Sequence, residues 1–183
     1  MKNSNKLIII TGPSGVGKGT VVKDILQEDK NCWLSISATT RNPREGEMDG
    51  RDYYFLDKAK FMQMISDGLF LEWAEFAGNY YGTPLNSVRE KIDTGFTVIL
   101  EIEVEGARQI RSKFPNSLSI FLLPPSKEEL ERRIRDRGTE NEESIKKRLR
   151  RADFEMKSSV DFDHVLENIS VKETVRNIFE IIK

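Results

Sequence analysis

The run Lys6-Leu-Ile-Ile-Ile-Thr11, followed by Gly12-Pro-Ser-Gly-Val-Gly-Lys18-Gly-Thr20, decides the fold. The apolar run is too short for a helix, the glycines make a turn, and helical spacing resumes from Lys18. Strand, loop and helix in that order, with Gly12-x-x-x-x-Gly17-Lys18, make the P-loop pattern. Glycines let successive N–H groups turn inward as a nest for phosphate oxygens. The helix starting near Lys18 adds its positive end, and the Lys18 ammonium adds a full charge. One position departs from the usual form. Gly19 stands where Ser or Thr normally offers a hydroxyl to Mg²⁺, with Thr20 one step later. Magnesium keeps water as a ligand readily, so a water is expected to fill that place.

Outward from this stretch, 183 residues suggest one domain, large enough to bury about 70% of its unfolded surface. A net charge of −1 argues against a general role on nucleic acid or a membrane surface. The single cysteine, Cys32, excludes an internal disulfide and reads as a small packed hydrophobe, as in a reducing compartment. Met1 to Asn5 are too few for a signal peptide, and no apolar run approaches the roughly 20 residues of a membrane span. A cytoplasmic location is expected.

Past the loop, Val21, Val22, Ile25 and Leu26 give a helix over about 18–28, and Trp33–Ser37 alternates as a short strand. Residues 38–52 are polar and turn-rich, a length that in a compact domain is usually functional or disordered. A strand over 52–56 and a helix capped by Asp57 follow. Residues 69–83, aromatic and broken at Gly78-Asn79, read as antiparallel strands. A helix opening at Pro84, an apolar strand over 96–103 ending in Glu101-Ile-Glu103, a helix over 105–114 and a strand over 118–123 come next. Ser126 with Glu129, and Thr139 with Glu142, are two capping boxes that open charged helices. A last strand over 163–167 and a helix over 171–182 close the chain. The expected fold is α/β: three layers around a mainly parallel sheet, with core segments 1–36, 85–125 and 157–183. A β-rich insert (37–84) and a charged helical hairpin (126–156) interrupt it.

Chemistry gathers on the insert. Arg41 and Arg44 put two planar forks on one polar loop, an anion clamp to which Tyr53 and Tyr81 add hydroxyls. Ser37, Glu72 and Thr83 sit among aromatics, as in a pocket for a flat heterocycle. A carboxylate accepts from both the N1–H and the exocyclic amine of guanine, donors that adenine lacks there. Taken singly, each of these reads more readily as a surface or turn residue. Only the set points to a site.

Several blocks together resemble guanylate kinase: the phosphate loop, Ser37-Ala-Thr-Thr-Arg41-x-x-Arg44-x-Gly-Glu, Gly50-x-Asp-Tyr53, Glu72-Trp-Ala-x-Phe-x-Gly-Asn-Tyr-Tyr81-Gly-Thr83 and Arg137-Gly-Thr-Glu-x-Glu-Glu-Ser-Ile-x-x-Arg148. They run in the same order over essentially the whole chain. The resemblance implies transfer of the γ-phosphoryl group of ATP to GMP, with Mg²⁺, in a protein built of a core, a GMP-binding insert and a mobile lid. It assigns ATP to Gly12, Pro13, Ser14, Gly15, Val16, Gly17, Lys18, Gly19 and Thr20, with Arg133 and Asn168. Ser37, Glu72 and Thr83 would meet guanine, and Arg41, Arg44, Tyr53 and Tyr81 the GMP phosphate. Arg137 and Arg148 would reach the transferring phosphoryl group alongside Lys18, Arg41 and Arg44. Glu101 and Glu103 replace the family's Asp-x-Asp. Two apart on a strand, they would share a face, the first near the acceptor and the second near the metal through water.

The GMP phosphate is already an anionic nucleophile, so no general base is needed, and the lone His164 reads as an ordinary strand residue. Gly46, Gly50 and Gly138 are candidate hinges. A monomer or homodimer is expected, with ATP and GMP as its partners. Rival readings are an RNA-binding surface on the arginine-rich hairpin, a non-catalytic guanylate kinase-like module, and a P-loop kinase for another phosphorylated acceptor. Against them stand the acidic residues among those arginines, the intact Gly17-Lys18, and the Ser37, Glu72 and Thr83 set.

Overall fold

The computed structural model describes residues 6–76, 78–136 and 142–182. Its centre is a five-stranded, all-parallel sheet ordered β2 (Cys32–Leu34), β7 (Thr97–Glu101), β1 (Leu7–Thr11), β8 (Leu118–Leu123) and β9 (His164–Glu167). Parallel strands buried on both faces read as continuous apolar runs, which is why Leu7–Ile10 shows no alternation. Alternate side chains nonetheless go to opposite layers. Ile8, Ile10, Ile99 and Ile120 pack against α1 (Lys18–Glu28) and α7 (Val171–Ile182). Leu7, Ile9, Val98 and Leu100 pack against α3 (Leu85–Asp93) and α4 (Val104–Lys113). The three layers are those expected.

The insert is a separate four-stranded sheet, ordered β4 (Tyr54–Phe55), β3 (Ala38–Thr39), β6 (Asn79–Pro84) and β5 (Phe70–Phe76). Phe61 of α2 (Lys58–Ser66) stacks on Phe70, with ring centroids 4.4 Å apart, and closes a small core with Ala38. Asp57 caps α2 as expected, its side chain accepting from the Lys60 N–H at 2.7 Å. A third core, of Leu130, Ile134, Ile145 and Ala152, joins α5 (Lys127–Arg135) to α6 (Glu142–Lys157) in the helical hairpin.

Four local expectations change. Trp33–Ser37 is not one strand: the ladder ends with the Ser35 N–H on the Ile99 carbonyl, and the chain then crosses into the insert sheet at Ala38. Pro84 ends β6 and stands as the N-cap of α3. The β7 strand stops at Glu101, and Glu103 is the N-cap residue of α4, so the two carboxylates do not share a strand face. Ser126 accepts from the Glu129 N–H at 3.1 Å, but the Glu129 carboxylate takes Arg132 and Arg133 instead of completing the capping box. Thr139 of the second box, and the hinge candidate Gly138, lie outside the described residues. Cys32 packs in the main core, and burial pushes its thiol up to about 11.

Candidate active site

The loop after β1 cannot carry ordinary side chains at its glycines. Gly12, Gly15 and Gly17 have φ of 147°, 92° and 100°. A Cβ on Gly12 would lie 2.4 Å from the Leu122 carbonyl oxygen, and one on Gly15 would lie 2.8 Å from Ile134 of the hairpin. Gly17 is the N-cap of α1 and offers no side-chain cap, which leaves the first-turn N–H groups to an anion. The Lys18 ammonium folds back over the loop and donates to the Gly12 carbonyl at 2.6 Å.

Two predicted ATP-side residues hold this loop from behind. Asn168, 2% exposed, donates its amide to the Val16 carbonyl at 2.8 Å and accepts from Thr174 at 2.9 Å. Arg133 donates to the same Val16 carbonyl at 3.0 Å and to the Asn168 carbonyl at 3.2 Å. Arg148 reaches from α6 to donate to the Ser14 hydroxyl, which brings a hairpin guanidinium onto the loop. Arg137 lies outside the described residues. Other hairpin arginines are ion-paired within the hairpin, Arg132 with Glu129 and Asp136 along α5, and Arg135 with Glu131 of its own helix and Glu142 of α6.

Across from the loop, strand register brings the three predicted base-facing residues into one row. Thr83 pairs with Glu72, and Ala38 pairs with Gly82, so Ser37 falls opposite Thr83. The Thr83 hydroxyl donates to Glu72 Oε1 at 2.5 Å. Glu72 is 5% exposed, and burial raises its carboxyl to about 7, with Thr83 and Lys113 pulling the other way. At the end of the same sheet, Tyr53 and Tyr81 meet edge to face at 6.2 Å, and the Arg41 guanidinium lies 5.4 Å over the Tyr53 ring. Glu47, whose place in the motif carried no assigned role, already fills the clamp. It accepts from Arg41 at 2.9 Å and from the Arg44 N–H at 2.7 Å, and Arg41 holds its carboxyl below the usual range.

Glu101 joins the two halves. A Cβ on Gly19 would lie 3.6 and 3.7 Å from its two carboxylate oxygens, and its charge also helps raise the Tyr53 phenol, whose shift comes first from burial. Glu101 thus stands beside the start of α1. Glu103 faces the hairpin, 3.9 Å from Arg151. Arg151 also donates to Glu155 at 2.6 Å and lies 3.9 Å over the Phe76 ring, so one side chain touches core, hairpin and insert.

A P-loop alone fits many proteins; a P-loop facing this row and this clamp fits few. The guanylate kinase family model matches residues 4–183. This chain belongs to the guanylate kinase family. It is 69% identical over 183 residues to the guanylate kinase of Prochlorococcus marinus (strain MIT 9312), all of both chains being covered. To that of Nostoc sp. (strain PCC 7120) it is 56% identical over 165 residues, 90% of this chain and 83% of the other. The crystal structure of guanylate kinase from Anaplasma phagocytophilum matches with a TM-score of 0.79 at 34% identity, covering 96% of this chain and 83% of that one. The sequence pointed to the loop, the clamp and the row. It gave no sign of Glu47 as the clamp's internal anion, which depends on how the loop turns back on Arg41 and Arg44 within six residues, or of Arg151 as a bridge, which depends on a helix folding onto distant partners.

Proposed function

We propose that this guanylate kinase family member transfers the γ-phosphoryl group of ATP reversibly to the phosphate of GMP, giving ADP and GDP. The observation that carries this reading is the buried Glu72 carboxylate in a row with Thr83 and Ser37, on the sheet that bears Arg41 and Tyr53. Guanine offers two donors to such a carboxylate, and a site left unpaired by adenine discriminates by as much as roughly 10⁴-fold. Arg41, Arg44, Tyr53 and Tyr81 hold the GMP phosphate; Gly12 to Thr20 hold ATP, with Arg133 and Asn168 keeping the loop in shape. Lys18 and Arg148 are assigned to the transferring group, Lys18 from the loop and Arg148 from its contact with Ser14, and the motif assigns Arg137 to the same role. Positioning and charge neutralisation are the whole task, since the GMP phosphate attacks without a base.

The residues fit Mg²⁺. The Glu101 oxygens, hard donors, lie against the first turn of α1 at Gly19, which contributes no hydroxyl. Among the described residues no group of three or more His, Cys, Asp or Glu forms an all-protein cage. Such an arrangement would suit an ion carried on substrate phosphates and water, which Glu101, and Glu103 through water, would help to hold. Bound there with ATP, the ion neutralises charge on the phosphate oxygens.

Residues 37–84 serve as the GMP-binding insert and 126–156 as a lid that excludes water, the competing acceptor. An ATP-dependent reaction of this kind, in a chain whose described helices include none long and apolar enough to cross a membrane, belongs in the cytoplasm. Arg151 gives a handle on lid docking. Spin labels on cysteines placed at the exposed Glu75 and Arg150 report the lid-to-insert distance, and the buried Cys32 thiol does not compete for label. R151A is expected to broaden a narrow distance distribution in the ligand-free protein; an unchanged one argues against docking through this residue. The reading as a whole is tested by ADP release with ATP, Mg²⁺ and each nucleoside monophosphate in turn. GMP supports fast release. Equal use of AMP or UMP, or no release with any, overturns it.

A further inference from the structure

Gly106 lies in the first turn of α4, buried, with no left-handed φ to explain a glycine there. A glycine in place of alanine costs a helix up to about 1 kcal/mol, so its presence calls for a packing reason. The reason is space. A Cβ at this position would lie 2.3 Å from Glu72 Oε2 and 2.9 Å from Glu72 Cδ. The same helix face grips the strand on both sides of Glu72. Gln109, one turn on, donates to the Trp73 carbonyl at 2.7 Å and accepts from the Trp73 N–H at 3.3 Å. Lys113, a further turn on, donates to the Leu71 carbonyl at 3.2 Å. Because β5 is the edge of the insert sheet, its outward N–H and C=O groups lack a neighbouring strand, and Gln109 stands in for one.

We infer that α4, a helix of the core, forms a wall of the acceptor-base pocket, and that Gly106 is a specificity-determining position: the side chain it lacks leaves the room that holds the Glu72 carboxylate toward the base. This rests on the guanine reading above. It adds that base recognition is fixed by a core helix as well as by the insert.

The test is G106A, with Q109A as a second variant that leaves the helix intact. G106A is expected to raise KM for GMP at least about tenfold while KM for ATP stays within about twofold. It should also lower the preference for GMP over IMP, which lacks the exocyclic amine, by a similar factor. In the ligand-free protein, the Glu72 carboxyl titration followed by carbon-13 NMR should move down from about 7 as the group is pushed toward solvent. Q109A should shift the same quantities in the same direction by about threefold. Unmoved KM, GMP-to-IMP ratio and titration in both variants overturn the inference. Absence of any GMP preference in the unaltered protein would instead defeat the reading on which it rests, while the titration would still decide whether Gly106 positions Glu72.

Discussion

K18A is expected to lower turnover with ATP and GMP at least about 10²-fold, a rise of about 2.7 kcal/mol in the barrier. The reaction brings two polyanions together, and two unit negative charges about 4 Å apart repel by about 4 kcal/mol at an effective dielectric near 20. Lys18 is one of the few full positive charges on the loop side; Arg148, already on Ser14, is another and limits the loss. Stability should change little. The ammonium makes one hydrogen bond to the Gly12 carbonyl, and a single partly exposed bond contributes about 1 kcal/mol. Coupled ADP release gives turnover, thermal melting gives stability, and calorimetric titration gives GMP affinity, which should hold because the acceptor site lies on the insert. Near-normal turnover, or loss of GMP affinity in step with turnover, would contradict this role.

Local physics made much of this molecule legible in its sequence. The loop glycines announce left-handed backbone, Asp57 and Ser126 announce helix starts, and the lone apolar strands announce a sheet buried on both faces. What stayed hidden is what depends on two distant segments meeting. Gly106 looks like a weak point in a helix until the Glu72 carboxylate is seen against it. Asn168 and Arg133 read as ATP ligands; that each also donates to the Val16 carbonyl, more than a hundred residues away, and shapes the loop has no local signal. Glu101 and Glu103 look equivalent on a two-residue period, but the period ends at Glu101, where the chain turns into α4. The two departures from pattern also meet in space. Gly19 lacks a side chain where the longer Glu101 carboxylate lies against α1.

E72Q separates recognition from stability. The amide keeps one acceptor and turns a donor toward guanine's donors, so discrimination of GMP over AMP should fall on the order of 10²-fold, as expected when hydrogen bonds to a charged group are lost. The pH dependence should change with it. Burial holds the Glu72 carboxyl near 7 in the folded chain against 4.5 as its ordinary value. The folded state therefore binds this proton more tightly than the unfolded state. Its contribution to stability is complete below pH 4.5 and is lost as pH rises through 7, by up to about 3 kcal/mol. GMP takes the ionised form, so its affinity for the unaltered protein should climb between pH 6 and 8, and E72Q should flatten that climb. The same substitution removes a buried charge, so at pH 8 E72Q should melt no lower than the unaltered protein despite its poorer selectivity. A drop in melting temperature together with an unchanged GMP-to-AMP ratio would mean that Glu72 supports the fold and does not read the base.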